Sequence, residues 1–241
     1  WGLTHDRCDA PARRRQGASL EALVHAVLVG ACRCIDPQRH QPCRIETLMG
    51  AIGLQRRLQA QQPRRCVAFG FTPWKQRNLR RFLAGSQLRF RAPWRRIPQG
   101  VDAVVAWGRR ANPRLLEAAA RRQLPVLQVE DGFLRSVGLG ADLVDPVSWV
   151  VDHKGVYYDA TRPSDLESLL ATQRWTSAQC QRAAALRQRL VQEAITKYNL
   201  QAEPWLRPAG AHRVVLVIGQ VESDASIRYG APGLRTNRAL L

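Results

Sequence analysis

Apolar and polar positions alternate along this chain in two textures. From Gly17 to Leu28, Leu20, Leu23, Val24 and Val27 recur at helical spacing behind Ser19 and Glu21, which predicts an amphipathic helix. After the Asp36-Pro37 turn signal, Ile45, Leu48, Met49, Ile52 and Leu54 predict a second helix over Arg44 to Leu58. The polar stretch Gln55 to Arg65 then reads as a linker. From Cys66 the texture changes. Cys66 to Gly70 is a short apolar run of strand type, Trp74 to Leu83 is helical, Val101 to Trp107 is a buried strand, Pro113 to Arg122 a helix, and Pro125 to Val129 a third strand. Trp149 to Val151 predicts a further strand or hairpin, Ser164-Asp165-Leu166-Glu167 opens a helix with a capping box, and Ser177 to Asn199 is strongly helical. Val214 to Ile218 is a last apolar run of strand type, followed by a polar loop.

Strands alternating with helices imply an α/β fold with a Rossmann-like parallel sheet. In such sheets ligands bind beyond the carboxyl ends of the strands. Two acidic clusters fall there: Glu130-Asp131-Gly132 after one strand, and Gly219-Gln220-Val221-Glu222-Ser223-Asp224 after another. Carboxyl groups so placed suit proton exchange with a hydroxyl or attack on an anomeric carbon. They equally suit helix capping.

Composition narrows the field. A length of 241 residues with 45% hydrophobic content allows one large core or two modest ones. No apolar run approaches the roughly 20 residues that cross a bilayer. The net charge of +18 comes almost wholly from arginine, since only Lys75, Lys154 and Lys197 are lysine. Guanidinium groups suit phosphate-bearing partners, but these are scattered through helices rather than interleaved with aromatic residues, so nucleic acid is not an expected partner. The six cysteines form no CxxC pair and the five histidines show no ligand spacing, so no metal is expected and free thiols fit a reducing cytoplasm. Gly138-Leu139-Gly140 lacks the third glycine of a dinucleotide-binding turn, and neither Ser136 nor Ser226 sits in a nucleophile elbow.

The run Glu130-Asp131-Gly132-Phe133-Leu134-Arg135-Ser136-Val137-Gly138-Leu139-Gly140, continued by Pro146, Ser148, Asp152, Gly155, Tyr157-Tyr158-Asp159-Ala160-Thr161 and Pro163-Ser164, resembles the KpsC-type capsule polysaccharide biosynthesis proteins. Val217 to Ile227 with Gly230-Ala231-Pro232-Gly233 resembles the family's next block, and Gly70 to Lys75 its opening strand and loop. Trp1-Gly2-Leu3-Thr4 resembles a block near the end of a preceding module. The resemblance implies three parts: residues 1–62 as the helical tail of a preceding glycosyltransferase module plus linker, 63–211 as a Rossmann-like acceptor-side domain, and 212–241 as the start of a donor-side domain. Together the last two would form the N-terminal part of a GT-B module.

The implied activity is retaining transfer of Kdo from CMP-Kdo to a phosphatidylglycerol-type lipid-linked acceptor, building the β-Kdo linker of a capsule without a cofactor. The donor half is largely missing by this reading, so the chain alone is expected to be inactive. The implied partners are CMP-Kdo, the Kdo-bearing lipid acceptor, the capsule assembly and export machinery, and the anionic inner-membrane surface, met peripherally from the cytoplasm. Carried over residue by residue, the pair Glu130-Asp131 would serve acid/base chemistry, with Asp131 the first choice, and Asp224 would be the nucleophile, with Glu222 as its alternative. Arg135 and Gln220 would orient substrate carboxylates, beside Ser136 and Gly132. The family's Glu-Asp-Asp stands here as Glu222-Ser223-Asp224. The competing expectation is a non-catalytic acceptor-binding or scaffolding module of capsule assembly.

Overall fold

The computed structural model describes residues 17–110, 112–201 and 205–241. The Trp1-Gly2-Leu3-Thr4 block, His5 and Cys8 lie outside the described residues. The chain divides into two compact units, one ending at Gln61 and one beginning at Gln62.

In the first unit, helix α1 (Leu20–Val24) starts where expected, because Ser19 Oγ accepts the Ala22 N–H at 3.1 Å. It continues as a π-helical run over His25–Ala31 rather than as regular α-helix. Strands β1 (Cys34–Ile35) and β2 (Pro42–Cys43) then form a minimal antiparallel hairpin, with Cys34 opposite Cys43. Its turn is set by Asp36, whose Oδ1 accepts from the Gln38 and Arg39 amides at 2.8 and 3.2 Å. Helix α2 spans Ile45–Ala60, so most of the stretch expected as linker is helical and the connection to the next strand shrinks to residues 61–64. The side chains of Gln55, Arg56, Arg57 and Gln59 are good helix formers with nothing to break the turn.

The second unit is built on a five-stranded sheet in the order β4-β3-β5-β6-β7. Strand β3 (Arg65–Phe69) leads through Gly70 into α3 (Pro73–Phe82), whose first turn is fixed by Pro73 and by Thr72 Oγ1 accepting from Lys75 N. Strand β4 (Gln87–Arg91) follows and pairs parallel with β3. The sequence reading missed β4, because Gln87, Arg89 and Arg91 leave only Leu88 and Phe90 to carry a strand signal at the sheet's edge. Strand β5 (Ala103–Trp107) returns to the other side of β3, and α4 (Pro113–Arg121), capped by Asn112, leads to β6 (Val126–Asp131). All these pairings are parallel. Strand β7 (Trp149–Asp152) is antiparallel to β6, so the expected strand or hairpin at Trp149 to Val151 forms an antiparallel edge of a mostly parallel sheet. The connection from β6 to β7 contains a short 3₁₀ turn but no crossover α-helix, the usual route to a parallel return.

Both faces of the sheet are covered, as strands this continuously apolar require. Leu127 and Val129 of β6 face Phe71, Leu79, Leu83 and Trp107 on one side. Val126 joins Val67, Phe69, Val104, Leu115 and Ala119 on the other. Helix α5 (Asp165–Thr172) has the expected capping box between Ser164 and Glu167. Helix α6 (Ser177–Gln192) ends seven residues short of the predicted stop, and the chain then folds back through left-handed turns at Ala194 and Asn199. This return segment supports the glycine-rich loop after β6: Lys197 O accepts from Arg135 N at 2.8 Å and Tyr198 O from Gly138 N at 2.7 Å. The strand expected over Val214–Ile218 does not form, and these side chains stand exposed without a pairing partner among the described residues. Two short helices, α7 (Ala225–Gly230) and α8 (Asn237–Leu240), complete the described fold.

Candidate active site

The strand order reverses between β3 and β5, because the chain leaves β3 toward β4 and leaves β5 toward β6. The crevice beyond the carboxyl ends of those strands is where open α/β sheets bind ligands. Three elements meet there. Gly108, immediately after β5, adopts a left-handed φ of 46°. Lys75 on α3 places its Nζ 3.3 Å from the centre of the Trp107 ring. Glu130 reaches in from β6: a side chain at Gly108 would lie 2.6 Å from Glu130 Oε2 and 2.7 Å from Tyr158 Oη, so only glycine leaves room for this contact.

Successive strand residues point to opposite faces, and the adjacent carboxylates divide accordingly. Glu130 lies on the Val126 side and Asp131 on the Leu127 and Val129 side. Glu130 Oε2 accepts from Tyr158 Oη at 3.3 Å and Oε1 from the Asp131 amide at 3.2 Å. Burial raises the Glu130 carboxyl above its ordinary value, and the charge of Asp131 adds to this, while the Asp131 amide, Lys75 and the Tyr158 hydroxyl offset only part.

Asp131 is bound differently. Its Oδ2 lies 2.9 Å from Nε of Arg135, whose side chain is 1% exposed, in a charge pair without an aligned hydrogen bond. Asp131 Oδ1 is buried without a hydrogen-bond partner among the described residues. The Arg135 guanidinium is further taken up by Ser136 Oγ at 2.8 Å and Val144 O at 3.1 Å, and Gly140 leaves the space it fills. Arg135 therefore faces inward, and the carboxylate it pairs with is Asp131. Ser136 is likewise buried, donating to Gly138 O at 2.7 Å. Gly132 has no room for a Cβ, since Ser148 lies against it, and its amide donates to Ser148 O at 3.1 Å.

The second acidic cluster is more exposed. Asp224 caps α7, its Oδ1 accepting from Ser226 N at 2.8 Å, and that amide holds the carboxyl below its ordinary value. Glu222 Oε1 accepts from Asn237 N at 2.6 Å, and Asn237 also bridges to both main-chain groups of Gln220. Glu222 and Gln220 thus belong to a local clasp with α8. Asp224 is tied electrically to the first cluster through Tyr157. Burial first, then Glu130 and Asp131, then Tyr198 and Asp224, push that phenol up to about 12, while its hydroxyl donates to Asp131 O at 3.2 Å. A cleft of about 720 Å³ opens beside these rings, lined by Tyr157, Tyr158, Ser164, Leu166, Leu170 and Ser226 among others.

Sequence reasoning gave no role to Tyr158, Gly108 or Lys75. Tyr158 and Lys75 stood within resemblance blocks, and Gly108 directly follows the strand read over Val101 to Trp107. Their meaning comes from strand adjacency, which no local spacing encodes. Among the described residues no helix is long and apolar enough to cross a membrane.

Comparison with known proteins places this geometry. A solved structure of the Thermosulfurimonas dismutans KpsC β-Kdo 2,4 transferase superposes with a TM-score of 0.57 at 34% identity, over 67% of this chain and 51% of that one. Over the matched part this chain shares the α/β fold of that transferase. A family model described as capsule polysaccharide biosynthesis protein matches residues 102–207, which hold both β6 and the Glu130-Asp131 pair. The capsule polysaccharide modification protein LipA of Neisseria meningitidis serogroup B is 31% identical over 252 residues, taking in 100% of this chain. The lipopolysaccharide-processing protein LpsZ of Rhizobium meliloti is 35% identical over 187 residues, 73% of this chain and 42% of its own length. The chain belongs to the KpsC-type capsule polysaccharide biosynthesis proteins. It spans little more than a third, 36%, of the LipA sequence.

Proposed function

We propose that this chain carries the acceptor-side domain and catalytic carboxylates of a retaining β-Kdo transferase, which moves Kdo from CMP-Kdo to a lipid-linked acceptor of phosphatidylglycerol type in capsule biosynthesis. The observation that carries the reading is the pair at the end of β6, where two adjacent carboxyl groups are given opposite environments. Enzymes that need one carboxyl to trade protons and another to stay charged arrange them in this way.

Glu130, raised by burial, suits proton exchange with the acceptor hydroxyl. Asp131, paired with the buried Arg135 and carrying an Oδ1 unpartnered among the described residues, is the second carboxylate of the same site. Asp224, the N-cap of α7, is the carboxylate we assign to attack the anomeric carbon. In the first step its oxygen bonds to that carbon while the bond to the CMP phosphate breaks and CMP departs with the electron pair. In the second the acceptor hydroxyl loses its proton to Glu130 and its oxygen displaces Asp224. Work at the anionic inner-membrane surface, met from the cytoplasm, belongs to the same reading.

The test is Kdo addition by the full-length protein, followed by mass spectrometry, with CMP-Kdo generated in situ and a Kdo-terminated lipid-like acceptor. Transfer by the parent and about a 10²- to 10⁴-fold loss in Glu130→Gln, Asp131→Asn and Asp224→Asn are the expected results. A folded parent that adds no Kdo refutes the transferase reading in favour of a binding module. Full activity in Asp224→Asn removes that residue from the chemistry.

A further inference from the structure

Glu130 is faced by ionisable groups from three elements: Asp131 on its own strand, Lys75 on α3, and Tyr157 and Tyr158 on the loop after β7. The Tyr158 hydroxyl donates a side-chain hydrogen bond to the carboxyl, its Oη lying 3.3 Å from Oε2. The Tyr157 hydroxyl is directed instead at the Asp131 carbonyl. The two tyrosine rings meet edge to face at 5.6 Å, a favourable packing for both phenols. Gly108 closes the other side of the contact with bare backbone, within reach of both Oε2 and Oη. Burial and the neighbouring Glu130 charge hold the Tyr158 hydroxyl well above its usual range, so it is a proton-bearing donor at neutral pH.

We propose that Tyr158 is a positioning residue for Glu130: its hydroxyl, seated against Gly108, orients the carboxyl at the switch point and favours the ionised form that accepts the acceptor's proton. The catalytic part of this inference rests on the transferase reading; the pairing itself does not. Because a donated hydrogen bond stabilises the carboxylate over the acid, removing it raises the pH at which Glu130 ionises.

The experiment titrates Glu130 directly in this chain by NMR of ¹³C-labelled glutamate carboxyls, with the resonance assigned by its loss in Glu130→Gln. Tyr158→Phe is expected to move the midpoint upward by about half a pH unit, the scale of one long hydrogen bond to a charged group. Tyr157→Phe, which removes a donor to a main-chain carbonyl, is expected to leave it in place. Replacing Tyr158 by a fluorinated tyrosine, a more acidic donor of the same shape, is expected to move the midpoint downward, and this arm decides the matter even where Tyr158→Phe folds poorly. In the full-length protein the acidic limb of kcat/KM for Kdo transfer should rise with the NMR midpoint in Tyr158→Phe. An unmoved midpoint in folded Tyr158→Phe and in the fluorinated protein overturns the proposal, as does an equal shift in Tyr157→Phe. A shifted midpoint in a protein whose parent transfers no Kdo sinks the transferase reading and leaves the positioning role standing.

Discussion

Arg135 and Gly132 show how much of the candidate site is construction behind the reacting groups. Arg135 is buried and charged, and its neighbours are a carboxylate, a hydroxyl and a carbonyl. Removing one partner of a buried pair leaves the other charge stranded, so Arg135→Leu should destabilise the second unit by about 3 kcal/mol. The same change in an Asp131→Asn background should cost clearly less, and a double-mutant cycle by urea unfolding measures the difference. Gly132→Ala should lower stability by about 1 to 3 kcal/mol, because Ser148 occupies the place of the new methyl group. A thermal melt that does not move would show that the β6–β7 connection yields more easily than its packing suggests. At this scale the sequence revealed the residue types but not their orientation. Glu130-Asp131 stood out as acidic residues at a strand end, whereas the inward turn of Arg135 depends on Gly140 and on a chain segment some sixty residues later.

Among elements, α7 is held by a small electrostatic tie. Arg109, just past β5, places Nη1 2.8 Å from Asp159 Oδ2 and lies over the Tyr229 ring at 4.5 Å, while the Tyr229 carbonyl accepts from Ala160 N. Burial works to raise the Asp159 carboxyl, but hydrogen bonds from Thr161 and the charges of Arg109 and Arg162 prevail and hold it below 3.8. A carboxyl depressed in the folded state contributes stability that is complete above its unfolded value and fades as pH falls through the folded one. Urea midpoints should therefore drop below pH 3.8, and Asp159→Asn should flatten part of that drop. Arg109→Leu should speed hydrogen exchange at the Ala160 amide by about tenfold or more, because the helix it bonds to loses its anchor. Elements were legible where the apolar period was strong, as in β3, β5 and β6, or where a cap marked a start, as at Ser164. They were not legible where pairing decides the outcome. Val214 to Ile218 has the composition of a strand and lacks a neighbour to pair with among the described residues, while Gln87 to Arg91 has a neighbour and little strand composition.

For the whole molecule, the α/β class followed from the alternation of textures, and the antiparallel β7 did not, because a connection without a helix looks in sequence like any other loop. The division at Gln61 and Gln62 predicts that a chain beginning at residue 62 keeps the sheet. Circular dichroism and a cooperative melt of that truncated chain would check this; loss of the melt would mean that the first unit is needed for the second to fold.

Strand β4 bears on a different property. It ends the sheet on one side, where Gln87, Arg89 and Arg91 are exposed and alternate with the half-buried Leu88 and Phe90. A row of unpaired main-chain groups invites another copy of the chain to dock strand against strand, and charged side chains along the row make that approach repulsive. The same arginines that hid this strand from its sequence signal keep its edge from seeding aggregation, and their replacement by threonine should appear first as light scattering on gentle warming.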